Sequence, residues 1–429
     1  MLEAMRSSWF PVYRLIGSVL APIAARRLFR AVDDDPSLRV RQPERRGHVP
    51  EASGELWVHA ASVGELNAAE PLIRRLATAS RPIVISTLTH TAARRARERF
   101  GEHSSIRHLF APLDTPGCVR RWLDHTRPDR LLLVETEIWP VMLAACRRRG
   151  IPVAMVNARV SARALRRYRR FASLFRSALQ VVDPVLCQSR ADRDRLAALG
   201  VDPTRMTVTG NLKFDVAPAD AVSPDVQSWA AGWSGRPVWI AGSTHAGEEE
   251  ILARAHQRLL QSIPDALMVL VPRHPERSGQ ALEALEAAGI AAGPVDRMEA
   301  NPGAQAVVVD RMGKLAELYR CGHAAFVGGS LVTGVGGHNL MEAAVAGPPV
   351  LTGPHTVDQQ EAADGLASVN GLIRVDSARS LTDSLERLLS DRSLAEQTAA
   401  NAAAFAASQR GALARTEQAL AGWLEKQPA

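Results

Sequence analysis

Short apolar runs alternate with longer amphipathic segments along most of this chain. The runs are bounded by Gly, Pro or polar residues and are typical of buried β-strands, whereas the longer segments repeat apolar residues at helical spacing. Strands are predicted at 56–60, 83–88, 131–134, 153–156, 185–187, 207–209, 238–241, 267–271, 307–309, 324–327 and 350–351. This alternation predicts parallel sheets with helices on both faces, and therefore a doubly wound α/β fold.

The alternation is interrupted between residues 215 and 237, where Ala, Pro, Asp, Ser and Gly dominate. A length of 429 residues also suggests more than one domain. We therefore predict an N-terminal Rossmann-like domain over 36–215, a linker over 216–236 and a C-terminal Rossmann-like domain over 237–410. The last helical pattern, within 411–429, could cross back to the N-terminal domain.

The N-terminal segment is both apolar and basic. Its longest uncharged run, 15–25, has 11 residues and contains Pro22, whereas a membrane-spanning helix needs about 20. Arginines flank or interrupt the apolar residues, as in segments that lie on an anionic membrane surface. We predict a membrane-surface anchor over 1–35; a cleaved signal peptide and a plain docking helix are the alternatives.

Composition narrows the class of protein. The four cysteines are far apart and form no CxxC pair, so neither a disulfide framework nor a zinc site is expected, and a reducing cytoplasm fits best. The net charge of +7 favours anionic partners, although 49 of the 52 basic residues are arginine, which partly reflects a coding bias. Lysine occurs only at Lys213, Lys314 and Lys426, and a compact ammonium among so many guanidinium groups suggests a chemical reason.

The glycine-rich stretch after the predicted strand 324–327 gives the strongest indication of a ligand. In doubly wound sheets, ligands bind beyond the carboxyl ends of the strands. Gly328, Gly329 and Ser330 follow this strand, and 336–342 opens a helix with Asn339 and Glu342 three residues apart. Backbone amides could bind a phosphate while these side chains hold a ribose, which predicts a nucleotide-activated substrate. An ordinary βα loop with glycines for tight packing is the alternative.

Three further strand ends in the second half carry polar groups. The segment 241–248 offers Ser243 or Thr244 as a helix cap, with amides and hydroxyls free for an anion. Arg273 follows its strand between two prolines that stiffen the backbone, which suits it to an anionic group. In the loop 310–314, Gly313 could let the backbone approach a base or phosphate.

Two strand ends in the first half carry carboxylates. Ser62 and Glu65 fit a capping box in which Glu65 bonds the Ser62 amide, and Glu65 could alternatively act as a general base. Glu135 and Glu137 would share a face if their strand continued, and one pKa would rise unless a cation intervened. Lys213 could be that cation; a surface ion pair or hinge contact is the alternative.

Seven ordered motifs resemble those of the bacterial lipid A transferases of 3-deoxy-D-manno-octulosonic acid (Kdo). They span nearly the whole chain, at 60–65, 135–140, 157–161, 210–215, 242–245, 272–277 and 336–339. The resemblance implies the GT-B fold, in which two Rossmann-like domains face a cleft. It also implies transfer of Kdo from CMP-Kdo to a lipid A precursor (lipid IVA) with inversion at the anomeric centre, without a metal or other cofactor.

The resemblance also implies roles for individual residues. Glu65 would accept the proton, and Glu135 and Lys213 would support the charge of the transition state. The donor nucleotide would contact Pro272, Arg273, Met312, Gly313, Lys314, Asn339, Leu340, Met341 and Glu342. The chain departs from the family at Lys314, where Glu is usual, at 340–343, and at Asp358, where Asn is usual.

The acceptor side is expected to use a basic stripe; an ordinary solvated helix face is the alternative. Arginines recur at helical spacing and lead into apolar residues that could enter a membrane, at Arg159, Arg163, Arg166, Arg167, Arg170, Phe171, Leu174 and Phe175. The expected partners are CMP-Kdo, the lipid A precursor and the anionic inner-membrane surface, with no nucleic acid. The expected location is the cytoplasmic face of the bacterial inner membrane, with peripheral or N-terminal attachment.

Two other classes of function remain open from the sequence. A GT-B transferase for a UDP- or GDP-sugar, or a sugar epimerase, would keep the glycine loop but bind a diphosphate. An anionic-lipid- or RNA-binding protein without enzymatic activity would use the arginines and leave Glu65 and Glu135 without a role.

Overall fold

The computed structural model describes residues 10–15, 17, 36–52, 54–78, 80–215, 221–233, 235–300 and 303–425. Apart from residues 10–15 and 17, which are helical, the predicted anchor segment lies outside the described residues. Across the ranges that are described, no helix combines the length and apolar character needed to cross a membrane.

Contacts divide the chain into two compact units. Unit 1 consists of Met1–Asp215 together with Gly411–Ala429, and unit 2 consists of Val216–Arg410. The chain therefore leaves unit 1 after Asp215 and returns to it at Gly411.

Unit 1 is built on a seven-stranded sheet in which every pairing is parallel. The strands are β1 Leu56–His59, β2 Ile83–Thr87, β3 Ile106–Phe110, β4 Arg130–Val134, β5 Val153–Ala158, β6 Val182–Cys187 and β7 Met206–Val208. Their spatial order is β3-β2-β1-β4-β5-β6-β7, which extends the Rossmann order by one strand. Leu56 pairs with both Ile83 and Arg130, so β1 is an interior strand next to the middle strand β4.

Helices cover both faces of this sheet. Those before the return of the chain are α1 Pro36–Arg39, α2 Val63–Leu76, α3 His90–Phe100, α4 Pro116–Thr126, α5 Pro140–Arg148, α6 Ala162–Arg169, α7 Ala172–Leu179 and α8 Arg190–Ala198. Successive side chains of a strand point to opposite faces, and Leu131 and Leu133 accordingly join one core while Leu132 and Val134 join the other. Two layers of helices can therefore bury the apolar runs that the sequence contains.

Unit 2 repeats the architecture with a different strand order. Its strands are β8 Val238–Thr244, β9 Leu267–Pro272, β10 Ala292–Pro294, β11 Ala306–Val308, β12 Ala324–Val327, β13 Val350–Thr352 and β14 Leu372–Arg374. They pair in parallel in the order β10-β11-β9-β8-β12-β13-β14. Its helices are α9 Pro224–Ala231, α10 Glu249–Ser262, α11 Ser278–Ala287, α12 Leu315–Tyr319, α13 Leu340–Ala346, α14 Gln360–Ser368, α15 Ala378–Ser390 and α16 Arg392–Gln409.

The region predicted as a linker contains an ordered helix. α9 belongs to unit 2, and its Val226 and Trp229 are buried. The Trp229 indole donates to Asp296 at 3.2 Å. The compositional break at 215–237 therefore marks the start of unit 2, and part of it is a packed helix of that unit and not a free linker.

The last helix, α17 Ala412–Glu425, packs on unit 1. Leu420 and Trp423 belong to the core that also contains Leu66 and Val58. The guanidinium carbon of Arg130 lies 5.4 Å from the Trp423 ring centroid. The C-terminal segment thus completes one helical layer of unit 1.

The predicted fold class is confirmed, since both units are doubly wound parallel α/β sheets. The prediction omitted β3, β10 and β14, all of which are edge strands. β3 contains Arg107 and His108, and the other two have only three residues each. Edge strands are exposed along one side and need no continuous apolar run, so the criterion used for central strands does not detect them.

Candidate functional site

The strand order reverses next to the central strand of each unit. In unit 1 the reversal lies between β1 and β4, and in unit 2 between β8 and β12. Crevices form beyond the carboxyl ends of strands at such points. Glu65 and Glu135 follow β1 and β4, and the glycine loop follows β12, so the reversals coincide with the predicted site segments.

Glu65 is held against the N-terminus of its own helix. The Ser62 hydroxyl donates to Glu65 Oε1 at 2.7 Å, and the Ala61 amide donates to Oε2 at 2.7 Å. The Glu65 amide in turn donates to Ser62 Oγ at 3.4 Å, which caps α2. Only the Ser62 half of the predicted capping box forms, because the Glu65 carboxylate accepts the Ala61 amide and not the Ser62 amide. Each carboxylate oxygen still has a lone pair for a further donor.

The surroundings of Glu65 raise its pKa towards neutral pH. Burial is the main cause of a pKa raised to about 7, and the negative charges of Glu137 and Glu135 add to it. The hydrogen bonds from Ser62 and Ala61 oppose this rise. A base whose pKa lies near the working pH is well suited to accept a proton in catalysis.

Glu135 and Lys213 form an ion pair. Lys213 Nζ lies 2.7 Å from Glu135 Oε1, and both side chains are partly buried. Glu135 has a φ of 59°, a left-handed conformation that is uncommon outside glycine. β4 ends at Val134, so the strand alternation that would place Glu135 and Glu137 on one face does not apply.

Two asparagines position the segment that carries Lys213. Asn157 Oδ1 accepts the Leu212 amide at 2.9 Å, and Asn211 Oδ1 accepts the Lys213 amide at 3.0 Å. Asn157 is buried. The motifs at 157–161 and 210–215 are therefore linked in space, and together they determine where the ammonium lies.

Glu137 has its own partners. Its Oε2 accepts the Trp139 indole N–H at 2.6 Å and lies 3.6 Å from His59 Nε2. Burial alone would raise the pKa of Glu137, but the interactions with His59 and Trp139 outweigh burial and lower it. The sequence interpretation missed His59, although its position at the end of β1 was the signal that could have identified it.

The glycine loop of unit 2 already holds a carboxylate from the protein. Glu248 is fully buried, and its oxygens accept the amides of Gly329, Ser330 and Leu331 at 2.7, 2.9 and 2.8 Å. Gly329 has a φ of 70°, and a Cβ there would lie 2.8 Å from His338. The prediction that the amides at the start of this loop are open to a ligand is wrong, because Glu248 occupies them.

The expected Ser or Thr cap after β8 is also absent. Glu248 stands at the N-cap position of α10 but makes no side-chain bond to the helix amides, and its carboxylate accepts the His245 amide at 3.0 Å. Thr244 belongs to β8, and its hydroxyl donates to the buried Glu249 at 3.1 Å. The polar groups of this turn therefore stabilise the loop itself.

A cluster of three histidines and Arg273 lies beyond the carboxyl ends of β8, β9 and β12. His245 Nε2 and His338 Nε2 are 2.8 Å apart with stacked rings, and His274 meets His245 edge-on at 5.8 Å. Burial is the main cause that lowers the pKa of His338 to about 4, and electrostatic interactions with His245, Arg273 and His274 lower it further. The sequence interpretation gave these histidines no role, although all three stand in the motifs at 242–245, 272–277 and 336–339.

Arg273 also faces the helix predicted to hold the ribose. Burial raises the pKa of Glu342, and the charge of Arg273 opposes that rise. Asn339 Oδ1 caps α13 by accepting the Met341 amide at 3.1 Å. Leu340 and Met341 are fully buried, so their side chains belong to the core and only their backbone could meet a ligand.

The remaining predicted donor residues lie in different surroundings. Pro272 is buried as the last residue of β9, whereas the Met312 side chain is 66% exposed. Gly313 has a φ of 79° and open space where a side chain would be. Lys314 is already paired, with its Nζ 2.8 Å from Ser223 Oγ and 2.9 Å from Asp225.

The basic stripe is only partly as predicted. No residue of α6 is buried, and Arg163, Arg166 and Arg167 are exposed. In the apolar part, Leu174 is buried at 5% exposure and only Phe171 is largely exposed, at 40%. The face is therefore mainly basic.

The described residues offer no arrangement of three or more His, Cys, Asp or Glu side chains that could hold a metal ion. The cysteines at 118, 146, 187 and 321 are unpaired. Burial raises the pKa of both Cys146 and Cys187 to about 12, so these thiols are unreactive at neutral pH.

Comparison with known proteins agrees with this architecture. The family profile described as 3-deoxy-D-manno-octulosonic-acid transferase (kdotransferase) matches residues 40–216. The 3-deoxy-D-manno-octulosonic acid transferase of Bordetella pertussis is 37% identical over 86% of this chain and 87% of its own length. The enzyme of the same name from Haemophilus influenzae is 34% identical over 91% and 93%.

A crystal structure of a UDP-N-acetylglucosamine 2-epimerase is 14% identical and superposes with a TM-score of 0.51, covering 88% of this chain and 99% of that one. This likeness concerns the fold alone. Two doubly wound units in one chain define the GT-B class of glycosyltransferase fold. By sequence, the chain belongs to the 3-deoxy-D-manno-octulosonic acid transferase family.

Proposed function

We propose that this protein transfers Kdo from CMP-Kdo to the lipid A precursor lipid IVA, with inversion at the anomeric carbon. The observation that carries the proposal is Glu65, a partly buried carboxylate fixed by Ser62 and Ala61 with a pKa of about 7. Membership of the Kdo transferase family supports Kdo as the transferred sugar. The Glu65 carboxylate could activate an acceptor hydroxyl.

In the proposed reaction, Glu65 accepts the proton of a lipid hydroxyl as that oxygen attacks the anomeric carbon of Kdo. The bond between this carbon and the phosphate oxygen breaks, and CMP leaves with the electron pair. Attack on the face opposite the phosphate inverts the configuration. Proton transfer to a positioned carboxylate typically contributes about 10²–10⁴-fold to the rate.

The Lys213 ammonium is proposed to stabilise negative charge that develops in the transition state. Its 2.7 Å contact with Glu135 supports a fixed direction for the ammonium. Preorganised charge costs little reorganisation during the reaction and is worth more in a partly buried site than in water.

The donor nucleotide is proposed to bind unit 2. Arg273 would contact the phosphate, and the open backbone at Gly313 would allow the base to approach closely beside Met312. Glu342 would accept hydrogen bonds from the ribose hydroxyls. Pro272, Asn339, Leu340 and Met341 would contribute contacts through backbone and shape, and Lys314 would reach the ligand only by leaving Asp225. Since the proposed base belongs to unit 1, the reaction requires both units.

We further propose that the protein works at the cytoplasmic face of the inner membrane. The exposed arginines of α6 are suited to anionic lipid headgroups. The lipid acceptor would then be reached without leaving the membrane surface.

The test is mass spectrometry of lipid IVA, a tetraacylated and bisphosphorylated disaccharide, after incubation with freshly generated CMP-Kdo in the presence of a chelator. The parent should add one or more Kdo masses, and Glu65→Ala should lose about 10²-fold or more of that rate. Glu70→Gln serves as a matched control, because Glu70 lies on α2 in a surface ion pair with Arg74.

Circular dichroism should first establish that all three proteins are folded. Protection of the parent from proteolysis by CMP, and not by UDP, would support the donor assignment. A folded parent that adds no mass to the lipid, or that is protected only by UDP, would refute transfer from CMP-Kdo.

A further inference from the structure

His59 is buried beside the Glu137 carboxylate, with its Nε2 facing that carboxylate. Its side chain is 1% exposed, and Nδ1 lies 2.8 Å from Ser86 Oγ. The other nitrogen, Nε2, is buried without a hydrogen-bond partner among the described residues and lies 3.6 Å from Glu137 Oε2. The contact with Ser86 on one side and Glu137 on the other therefore favours one orientation of the His59 ring.

The hydrogen bonds of Ser86 determine which nitrogen of His59 carries the proton. Ser86 Oγ is 2.7 Å from the Trp57 indole nitrogen, which can only donate. The serine hydroxyl is then left to donate to His59 Nδ1. The neutral ring therefore carries its hydrogen on Nε2, which faces Glu137.

Glu137 is consequently held in its ionised form. It receives the Trp139 indole N–H at 2.6 Å and faces the Nε2–H of His59. The Lys213 ammonium is engaged with the neighbouring Glu135, so the charge of Glu137 is not neutralised by that lysine. A fixed negative charge near Glu65 disfavours loss of the Glu65 proton.

We propose that His59 and Glu137 are positioning residues that set the pH at which Glu65 accepts a proton. This inference rests on the proposed role of Glu65 as the base. His59 keeps Glu137 charged, and Glu137 keeps Glu65 basic enough to remove a hydroxyl proton at neutral pH. Neither residue needs to touch a substrate.

The other charged groups around His59 and Glu137 are the same in the parent and in the variants, although burial raises the pKa of Asp114 to about 6. Glu135 also raises the pKa of Glu65, and its charge is balanced by Lys213. Asp114, buried and bonded by the Val141 and Met142 amides, interacts electrostatically with His59. Substitutions at His59 or Glu137 alter only those two residues, whereas Glu135, Lys213 and Asp114 are retained.

The first measurement is the pH dependence of kcat/KM for Kdo transfer. In the parent, the acid limb should have its midpoint near pH 7. Glu137→Gln should move this midpoint to lower pH by about one unit and reduce the plateau rate, since Glu65 becomes a weaker base. His59→Leu should move it in the same direction, whereas His59→Gln, which retains an amide donor, should move it less. The control variant Glu70→Gln changes a glutamate of α2 that contacts neither His59 nor Glu137, and it should leave the midpoint unchanged.

A second measurement does not depend on activity. In protein labelled with ¹³C at glutamate carboxyl carbons, the resonance missing from Glu65→Gln identifies Glu65. That resonance should titrate near pH 7 in the parent and at lower pH in Glu137→Gln and His59→Leu. If Glu137→Gln does not fold, the His59 variants test the same prediction.

The two proposals fail in different ways. Unchanged titration of Glu65 in both Glu137→Gln and His59→Leu, or a shift to higher pH, would overturn the positioning role even if transfer is observed. Shifted titration together with a fully active Glu65→Ala would instead overturn the role of Glu65 as the base and leave the electrostatic coupling standing.

Discussion

Glu135 and Ser243 are non-glycine residues with left-handed backbones, at φ values of 59° and 55°. Both lie beside a point where the strand order of their sheet reverses. Such conformations cost on the order of 1–3 kcal/mol and persist where surrounding contacts enforce them. The Glu135 amide bonds Val156 O at 2.9 Å, and its carboxylate is thereby presented to Lys213.

Glu65 should reduce the stability of the protein at alkaline pH. Its pKa is raised from 4.5 to about 7 in the folded state, so the folded protein holds this proton more tightly than the unfolded chain does. The resulting contribution to the free energy of unfolding is complete below about pH 4.5 and is lost as the pH rises through about 7.

Glu65→Gln should therefore be more stable than the parent at pH 8.5 by about 1–3 kcal/mol, with a much smaller difference at pH 5. A glutamine can accept the Ala61 amide and donate to Ser62, so the local hydrogen bonds survive. Urea denaturation at both pH values measures the difference. Equal stabilities at pH 8.5 would contradict the raised pKa.

At the residue level, the sequence predicted the positions of side chains that follow strands, whereas their roles remain predictions. Glu65, Glu135 and Arg273 all follow central strands, and the pairing of Lys213 with Glu135 is present in the structure. It did not reveal Glu248, because its partners are backbone amides about 80 residues away along the chain. Contacts with backbone leave no characteristic side-chain pattern.

At the scale of elements, the glycine loop shows how a buried charge can organise a turn. Glu248 accepts four amides, from His245, Gly329, Ser330 and Leu331. Hydrogen bonds to a charged group are worth about 1.5–3 kcal/mol each. The loop is therefore shaped before any ligand binds, which lowers the entropic cost of binding.

Glu248→Gln should loosen this loop. One carboxylate oxygen becomes an NH₂ group that cannot accept an amide, leaving at least one buried N–H without an acceptor. Hydrogen exchange of a peptide covering Gly329–Leu331 should become at least about tenfold faster, while peptides of unit 1 keep the parent rate. Glu276→Gln, at an exposed glutamate, is the control. Unchanged exchange at 329–331 would show that Glu248 does not hold the loop.

Elements were predictable in proportion to their burial. The central strands carry apolar residues on both faces and were all identified from their composition. The short edge strand β7 was identified at 207–209, whereas the edge strands β10 and β14, and α9 within a segment rich in Ala, Pro and Ser, were not. Their conformation is determined by neighbours that the local sequence does not specify.

At the scale of the whole molecule, the N-terminal unit is incomplete without the end of the chain. α17 adds Leu420 and Trp423 to a core otherwise formed by residues before 215, and Glu417 pairs with Arg75 at 2.7 Å. The core of unit 1 is therefore complete only when the residues after 410 are included.

Leu420→Ala should destabilise unit 1 by about 2–5 kcal/mol, because the side chain is fully buried and its removal leaves a cavity. Leu15→Ala, at a leucine that is 68% exposed, should change the stability by less than about 0.5 kcal/mol. Chemical denaturation measures the loss of stability, and hydrogen exchange of peptides from each unit shows which unit is destabilised. A loss confined to unit 2 would contradict the packing of α17.

Asp215, at the point where the chain leaves unit 1, accepts the amides of Gly411 and Leu413 at 2.9 and 2.6 Å, at the point where it returns. The residues that flank the 216–410 segment are thus fastened together by one carboxylate. Unit 2 has the topology of an insertion, so a gene that joins codon 215 to codon 411 through a few glycine codons encodes an unbroken polypeptide for unit 1. Genetic excision of one half of the enzyme would require no other rearrangement of the chain.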